Sequence, residues 1–271
     1  MRYSRASASE SRITMFFDTH CHLNSDDFAN DEEGYIKRAK ASGVDFLLVI
    51  GWDDISSQKA VELAEKYPNV YAAVGFHPCD VLKVPEDRFA IIKRLLSHPK
   101  VVALGEIGLD YYWNKTEEEH ELQRKYFVRQ IELANRFNKP VVIHSRDAMA
   151  ETLTLLKQNK PLAGGVMHCY SGPKEMVPDF LNLGLYISLG GPVTFTNARV
   201  SKEVAKIVPL KYLLIETDAP YLAPTPNRGK KNESSYLPLI ASEIGALRGL
   251  DAEDIGEWTT RNAMNLFHVK P

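Results

Sequence analysis

Phe16-Phe17-Asp18-Thr19-His20-Cys21-His22 is the stretch on which the fold turns: an apolar start that runs straight into imidazole and carboxyl side chains. It reads as the end of a β-strand over residues 13–18 that stops where polar chemistry begins. Seven more short, β-branched or apolar runs follow, at 44–50, 70–75, 101–105, 141–144, 165–168, 185–189 and 213–216. Between them apolar residues recur three and four apart, as in Ile55, Val61, Leu63, Ala64 or Phe127, Ile131, Leu133, Ala134, the period of a helix with one buried face. The stretch 116–138 predicts a helix of about six turns. Thr116 and Glu119 form a capping box at its start, and Lys139-Pro140 forces extended chain at its end. Eight strands that alternate with crossover helices predict an α/β fold, the (β/α)8 TIM barrel. An open doubly wound sheet is the alternative, and the strand count weighs against it.

Composition narrows the function classes. The chain has 271 residues, 33 Lys plus Arg against 35 Asp plus Glu, and a formal charge of -2, which excludes a broadly basic nucleic-acid coat. With 44% hydrophobic residues it can build a core. Three cysteines, Cys21, Cys79 and Cys169, make a poor disulfide framework, so a reducing, cytoplasmic location fits. No apolar run is long enough to cross a bilayer. The Ser- and Arg-rich residues 1–14 read as a disordered leader or expression remnant, and residues 15–271 as one barrel domain with a second Met, Met15, at its head.

The strands end on a consistent chemistry. They run out into His20 and His22, His77, Glu106, His144, His168, and Glu216-Thr217-Asp218. In a barrel the carboxyl ends of all strands meet at one face, so these side chains are expected around one pocket. His20 and His22, two apart in extended chain, point to the same side and can hold one ion while Cys21 turns away. A mixed imidazole and carboxylate set accepts Mg2+, Zn2+, Mn2+ or Ni2+. Glu106 is best placed to bridge two ions. The cysteines read as small buried hydrophobes rather than ligands, and His98, His120 and His268 as helix-end or surface residues. His77, before Pro78, is expected to donate a hydrogen bond to substrate.

These residues stand in motifs that together resemble the TatD family of metal-dependent deoxyribonucleases: Phe17-Asp18-Thr19-His20-Cys21-His22-Leu23, Gly75-Phe76-His77-Pro78, Gly105-Glu106-Ile107-Gly108-Leu109-Asp110-Tyr111-Tyr112, His168-Cys169-Tyr170-Ser171-Gly172, and Glu216-Thr217-Asp218-Ala219-Pro220-Tyr221 onward to Pro224. The resemblance runs from Met15 to near the end of the chain. It implies a two-metal site in which His20, His22 and Asp218 hold one ion, His144 and His168 the other, and Glu106 is shared. It implies 3′–5′ exonuclease action as well. One departure is Ser234, where family members commonly carry Pro after Asn-Glu; a looser loop is expected there.

Two ions, with Mg2+ as the working metal, would lower the pKa of a bound water and balance charge on a phosphodiester. Asp218 would orient or deprotonate that water, with His77 and Arg146 stabilising phosphate charge. Arg228, Lys230 and Lys231 suit a neighbouring phosphate. Tyr111, Tyr112 and Tyr221 could stack on unpaired bases. The near-neutral charge favours single-stranded DNA or DNA ends over long duplex contacts, with no obligate protein partner. The rival readings are a metal-dependent amidohydrolase or aminoacyl-ester deacylase, and an inert binding scaffold, which the complete ligand set argues against.

Overall fold

The computed structural model of the chain describes residues 15–84 and 88–270. Strands β1 (Phe16–Cys21), β2 (Val44–Ile50), β3 (Val70–Val74), β4 (Val101–Asp110), β5 (Val141–Arg146), β6 (Gly165–Met167), β7 (Leu185–Leu189) and β8 (Leu213–Ile215) pair in parallel, each with the next in sequence. Helices α1 (Glu32–Ala41), α2 (Asp54–Lys66), α3 (Phe89–Leu95), α4 (Glu117–Arg136), α5 (Met149–Gln158), α6 (Val177–Asn182) and α7 (Arg199–Ile207) make the crossovers. After β8 come α8 (Leu237–Arg248) and α9 (Ala252–Phe267). The expected TIM barrel is the fold. Residues 1–14, including the expected leader and the first two residues of the expected first strand, lie outside the described residues.

The capping box predicted for α4 is present: the Glu119 amide donates to Thr116 Oγ1, and the Glu119 carboxylate accepts from the Thr116 amide. Inside the barrel, Phe17, Leu48, Ile50, Val142, Val166 and Leu214 fill the lumen, and Leu266 and Phe267 of α9 close its floor. Fully burying a side chain such as Phe17 contributes ~1.5–3 kcal/mol. The alternating partners Phe16, Leu47, Val49, Val141 and Ile143 face the helices instead, against Ile131 and Ala134 of α4 and their counterparts.

Two register shifts break this alternation where it matters. Phe17 points into the lumen, so strict alternation would turn His20 outward; the β1–β2 register slips between Asp18 and Cys21, and His20 and His22 face inward with Cys21 outside. Ala103 points inward and strict alternation would bury Glu106 among the helices; the β4–β5 register slips between Leu104 and Ile107, and Glu106 turns into the mouth. Such bulges re-aim single side chains without ending the strand. The sequence reading ended β4 at Gly105, but the strand runs on to Asp110, pairing Gly108 with His144 and Asp110 with Arg146.

The seam between β1 and β8 is closed mainly by loop-end contacts. Cys21 bridges Ala219, the Asp218 amide donates to His20 O (2.8 Å), and the His22 amide donates to Ala219 O (2.8 Å). Buried Asp18 accepts from the Thr217 amide, the Thr217 hydroxyl and the Ser234 hydroxyl, so the loop at Ser234 is tied down rather than loosened as expected. Among the described residues no helix is long and apolar enough to cross a membrane.

Candidate metal centre at the barrel mouth

The strand-end side chains from β1, β4, β5, β6 and the β8 loop converge on one carboxylate. Glu106 Oε1 lies 2.9 Å from His144 Nδ1 and 2.9 Å from His168 Nε2, while Oε2 lies 3.4 Å from His20 Nε2 and 3.9 Å from His22 Nε2. Asp218 Oδ1 sits 3.4 Å from His22 Nε2 and 3.6 Å from His20 Nε2. Asp218 reaches this position from a left-handed backbone conformation (φ 57°) on the turn after β8. Each oxygen of Glu106 therefore faces different ring nitrogens, and three groups, His20–His22–Glu106, His20–His168–Asp218 and His77–Glu106–His144, are each close enough to share an ion.

Proton placement shows that these rings suit a cation. His22 Nδ1 donates to Ile50 O (3.2 Å), His144 Nε2 to Asp110 Oδ2 (3.0 Å), and His168 Nδ1 to Glu216 Oε1 (3.1 Å). The carboxylates around them outweigh burial and raise His22, His144 and, well above the usual imidazole range, His168, so a cation that displaces the inner proton would meet a lone pair on each ring. His144 Nδ1 and His168 Nε2 lie 3.2 Å apart and each 2.9 Å from Glu106 Oε1, close enough for one cation to take the place of their protons. Asp110 and Glu216 act here through the histidines they orient.

The carboxyls are held ionised. Burial alone would raise Glu106, but the surrounding imidazoles, His168 first, hold it well below the usual carboxylate range. Burial is likewise outweighed at Asp218, which His22 and His20 pull down. His77 behaves differently: burial and the neighbouring His144 pull it down to about 3. The Cys79 amide donates to its Nδ1 (3.2 Å), which leaves the proton on Nε2, 3.8 Å from Glu106 Oε1. His77 is thus a neutral donor aimed into the mouth.

A cavity of about 590 Å³ opens over the carboxylate, in the size range of small-ligand sites, and His77, Arg146, Trp52, Trp113 and Tyr221 line it. Arg146 sits over the Tyr112 ring at 3.8 Å, and Tyr221 stands edge-on to His22 at 6.1 Å. Four of the expected contact residues lie outside the cavity lining. Tyr111 stacks on His120 at 3.6 Å and donates to Glu151, turned from the mouth. Arg228 covers the Phe195 ring at 4.0 Å, and neither it nor exposed Lys230 lines the cavity. Lys231 Nζ donates to Asp27 O (2.8 Å). No cysteine belongs to the candidate ligand groups of the described residues: Cys21 is buried with its thiol toward Leu48 O, and burial pushes it and Cys169 well up.

The profile of the TatD related DNase family matches residues 17–268. The chain belongs to the TatD family. It is 45% identical to the "uncharacterized metal-dependent hydrolase YabD" of Bacillus subtilis, covering 94% of this chain and 100% of that one. It is 37% identical to the "3′-5′ ssDNA/RNA exonuclease TatD" of Escherichia fergusonii over 93% of this chain and 99% of the other. The crystal structure of the TatD homolog YJJV from Escherichia coli K12 superposes with a TM-score of 0.90 at 32% identity, covering 95% and 100% of the two chains. As a TatD protein this chain is a metal-dependent hydrolase. Sequence reasoning missed how Asp110 and Glu216 touch this TatD site, because a carboxylate four places after Glu106 or two places before Asp218 carries no mark of the ring it will meet. It also passed over Trp113, which an exposed aromatic following a strand-end motif could have signalled.

Proposed function

We propose that this protein is a deoxyribonuclease that removes nucleotides from the 3′ end of single-stranded DNA, working with two divalent cations. The observation that carries this reading is the division of Glu106: Oε1 faces His144 and His168 and Oε2 faces His20 and His22, which lets one carboxylate serve two ions. His20, His22 and Asp218 would hold one ion and His144 and His168 the other. Bound there, Mg2+, or Mn2+, Zn2+ or Ni2+ on the same donors, supplies Lewis acidity that makes water more acidic and offsets charge on a phosphodiester.

The chain's own groups do the rest. Asp218, held ionised beside His22 and His20, orients the attacking water and accepts its proton. His77, neutral and protonated on Nε2, donates to a non-bridging phosphate oxygen without adding a charge that would repel the cations. Arg146, propped on Tyr112, faces the same cavity and stabilises phosphate charge. Tyr221 also lines the cavity, and Arg228, stacked on Phe195, and exposed Lys230 lie outside it, where they could meet a phosphate further along the strand. The exonuclease name carried by the Escherichia fergusonii relative supports this choice of substrate.

The test is to incubate the protein with Mg2+ or Mn2+ and single-stranded DNA labelled along its length. Release of labelled mononucleotides from the 3′ end is expected. Intact DNA together with hydrolysis of an aminoacyl ester would replace this reading with a deacylase.

A further inference from the structure

Trp113 is 66% exposed and Tyr112 42% exposed, both on the loop directly after β4, the strand that carries Glu106. An indole exposed on a cavity wall offers its face to a ligand. The loop under these rings is not slack. Asp110 Oδ1 accepts from the amides of both Tyr112 (3.0 Å) and Trp113 (2.9 Å), and Gln123 of α4 accepts from the Asp110 amide (2.8 Å) and donates to the Asp110 carbonyl (3.1 Å). Tyr112 and Trp113 meet edge to face, 87° apart at 4.8 Å. The Arg146 guanidinium lies over the Tyr112 ring at 3.8 Å and 5.6 Å from the Trp113 ring. Tyr112 is therefore occupied, and of this pair Trp113 is the ring left open to the cavity it shares with His144, Glu106 and Arg146.

We propose that Trp113, with Arg146 beside it, is the stacking surface for the nucleobase next to the scissile phosphate, and that it makes the enzyme select unpaired strand ends. The proposal rests on the nuclease reading for its substrate, and deepens it. An aromatic face accepts any base, so it confers little sequence preference. A terminal base in a duplex is already paired and stacked on its neighbour, so it reaches Trp113 only after fraying. Arg146, one ring away, holds the phosphate of the same nucleotide, so base and phosphate are gripped by adjacent groups. The pre-ordered loop loses little conformational freedom on binding.

Two measurements on the intact chain test this. In the first, single-stranded oligodeoxynucleotides ending at the 3′ side in a thymidine or in a base-free tetrahydrofuran residue are compared as substrates with Mn2+. The wild type should favour the base-bearing end by roughly 5- to 100-fold in kcat/KM, mostly through KM. W113A should bring that ratio close to one, while W113F keeps most of it; circular dichroism confirms that each variant is folded. In the second, indole fluorescence is titrated with thymidine 5′-monophosphate and with deoxyribose 5-phosphate in the presence of EDTA. The nucleotide should quench the wild type and bind more weakly to W113A, and the sugar phosphate should not tell the two apart. A wild type that degrades DNA while W113A keeps the full base preference overturns the proposal and leaves the nuclease reading intact. A wild type that leaves DNA untouched refutes the nuclease reading, and the fluorescence titration then decides the proposal alone: unchanged nucleotide binding in W113A sinks it.

Discussion

Asp110 shows how much of this site depends on residues that touch no substrate. One carboxylate oxygen holds His144 Nε2 at 3.0 Å and the other holds the loop amides of Tyr112 and Trp113. In D110N the amide oxygen can still accept from the loop, but its NH2 then faces His144 Nε2 and drives the ring's proton to Nδ1, the nitrogen that points at Glu106. Metal affinity and hydrolytic activity should fall roughly 10- to 100-fold, with thermal stability little changed. Calorimetric titration with Mn2+ and steady-state kinetics on the same preparation check this, and a D110N protein with wild-type metal affinity would remove Asp110 from its positioning role.

At the scale of elements, the strands were legible and their phase was not. β-branched and apolar runs located all eight strands to within a few residues, because buried parallel strands read as continuous hydrophobic segments. The alternation argument paired His20 with His22 correctly, since it needs only two adjacent repeats. It could not see the slips at Asp18 to Cys21 and Leu104 to Ile107, which arise from pairing with a neighbouring strand and leave no local signature. β4 outran its expected end because Glu106, Gly108 and Asp110 look like loop residues, yet they alternate inward while Ile107 and Leu109 face the helices. Gly108 is the fixed point of that extension: its φ is +145°, and a Cβ there would collide with the His144 carbonyl on β5. G108A should therefore cost about 2 kcal/mol or more and displace His144. Urea unfolding measures the first and Mn2+ binding the second; a substitution neutral in both would show that β4 and β5 do not need this close approach.

Over the whole molecule, stability and chemistry occupy opposite ends. Phe17, Leu266 and Phe267 pack the floor, and the ionisable groups are collected at the mouth, the arrangement that lets a barrel vary its site without repacking its core. The charge of -2, with Arg146 the cation that lines the cavity, leaves few groups to neutralise phosphates. Apparent affinity for single-stranded DNA should accordingly fall with salt on a log-log slope of about -2, corresponding to roughly three phosphates. A slope of about -5 or steeper in fluorescence anisotropy would mean a longer basic track than this surface provides.

Anomalous diffraction from crystals equilibrated with Mn2+ tests the account at its centre. It predicts two peaks flanking the Glu106 carboxylate, one against His20, His22 and Asp218 and one against His144 and His168. A single ion, ions bound elsewhere, or an empty mouth at saturating Mn2+ would contradict it.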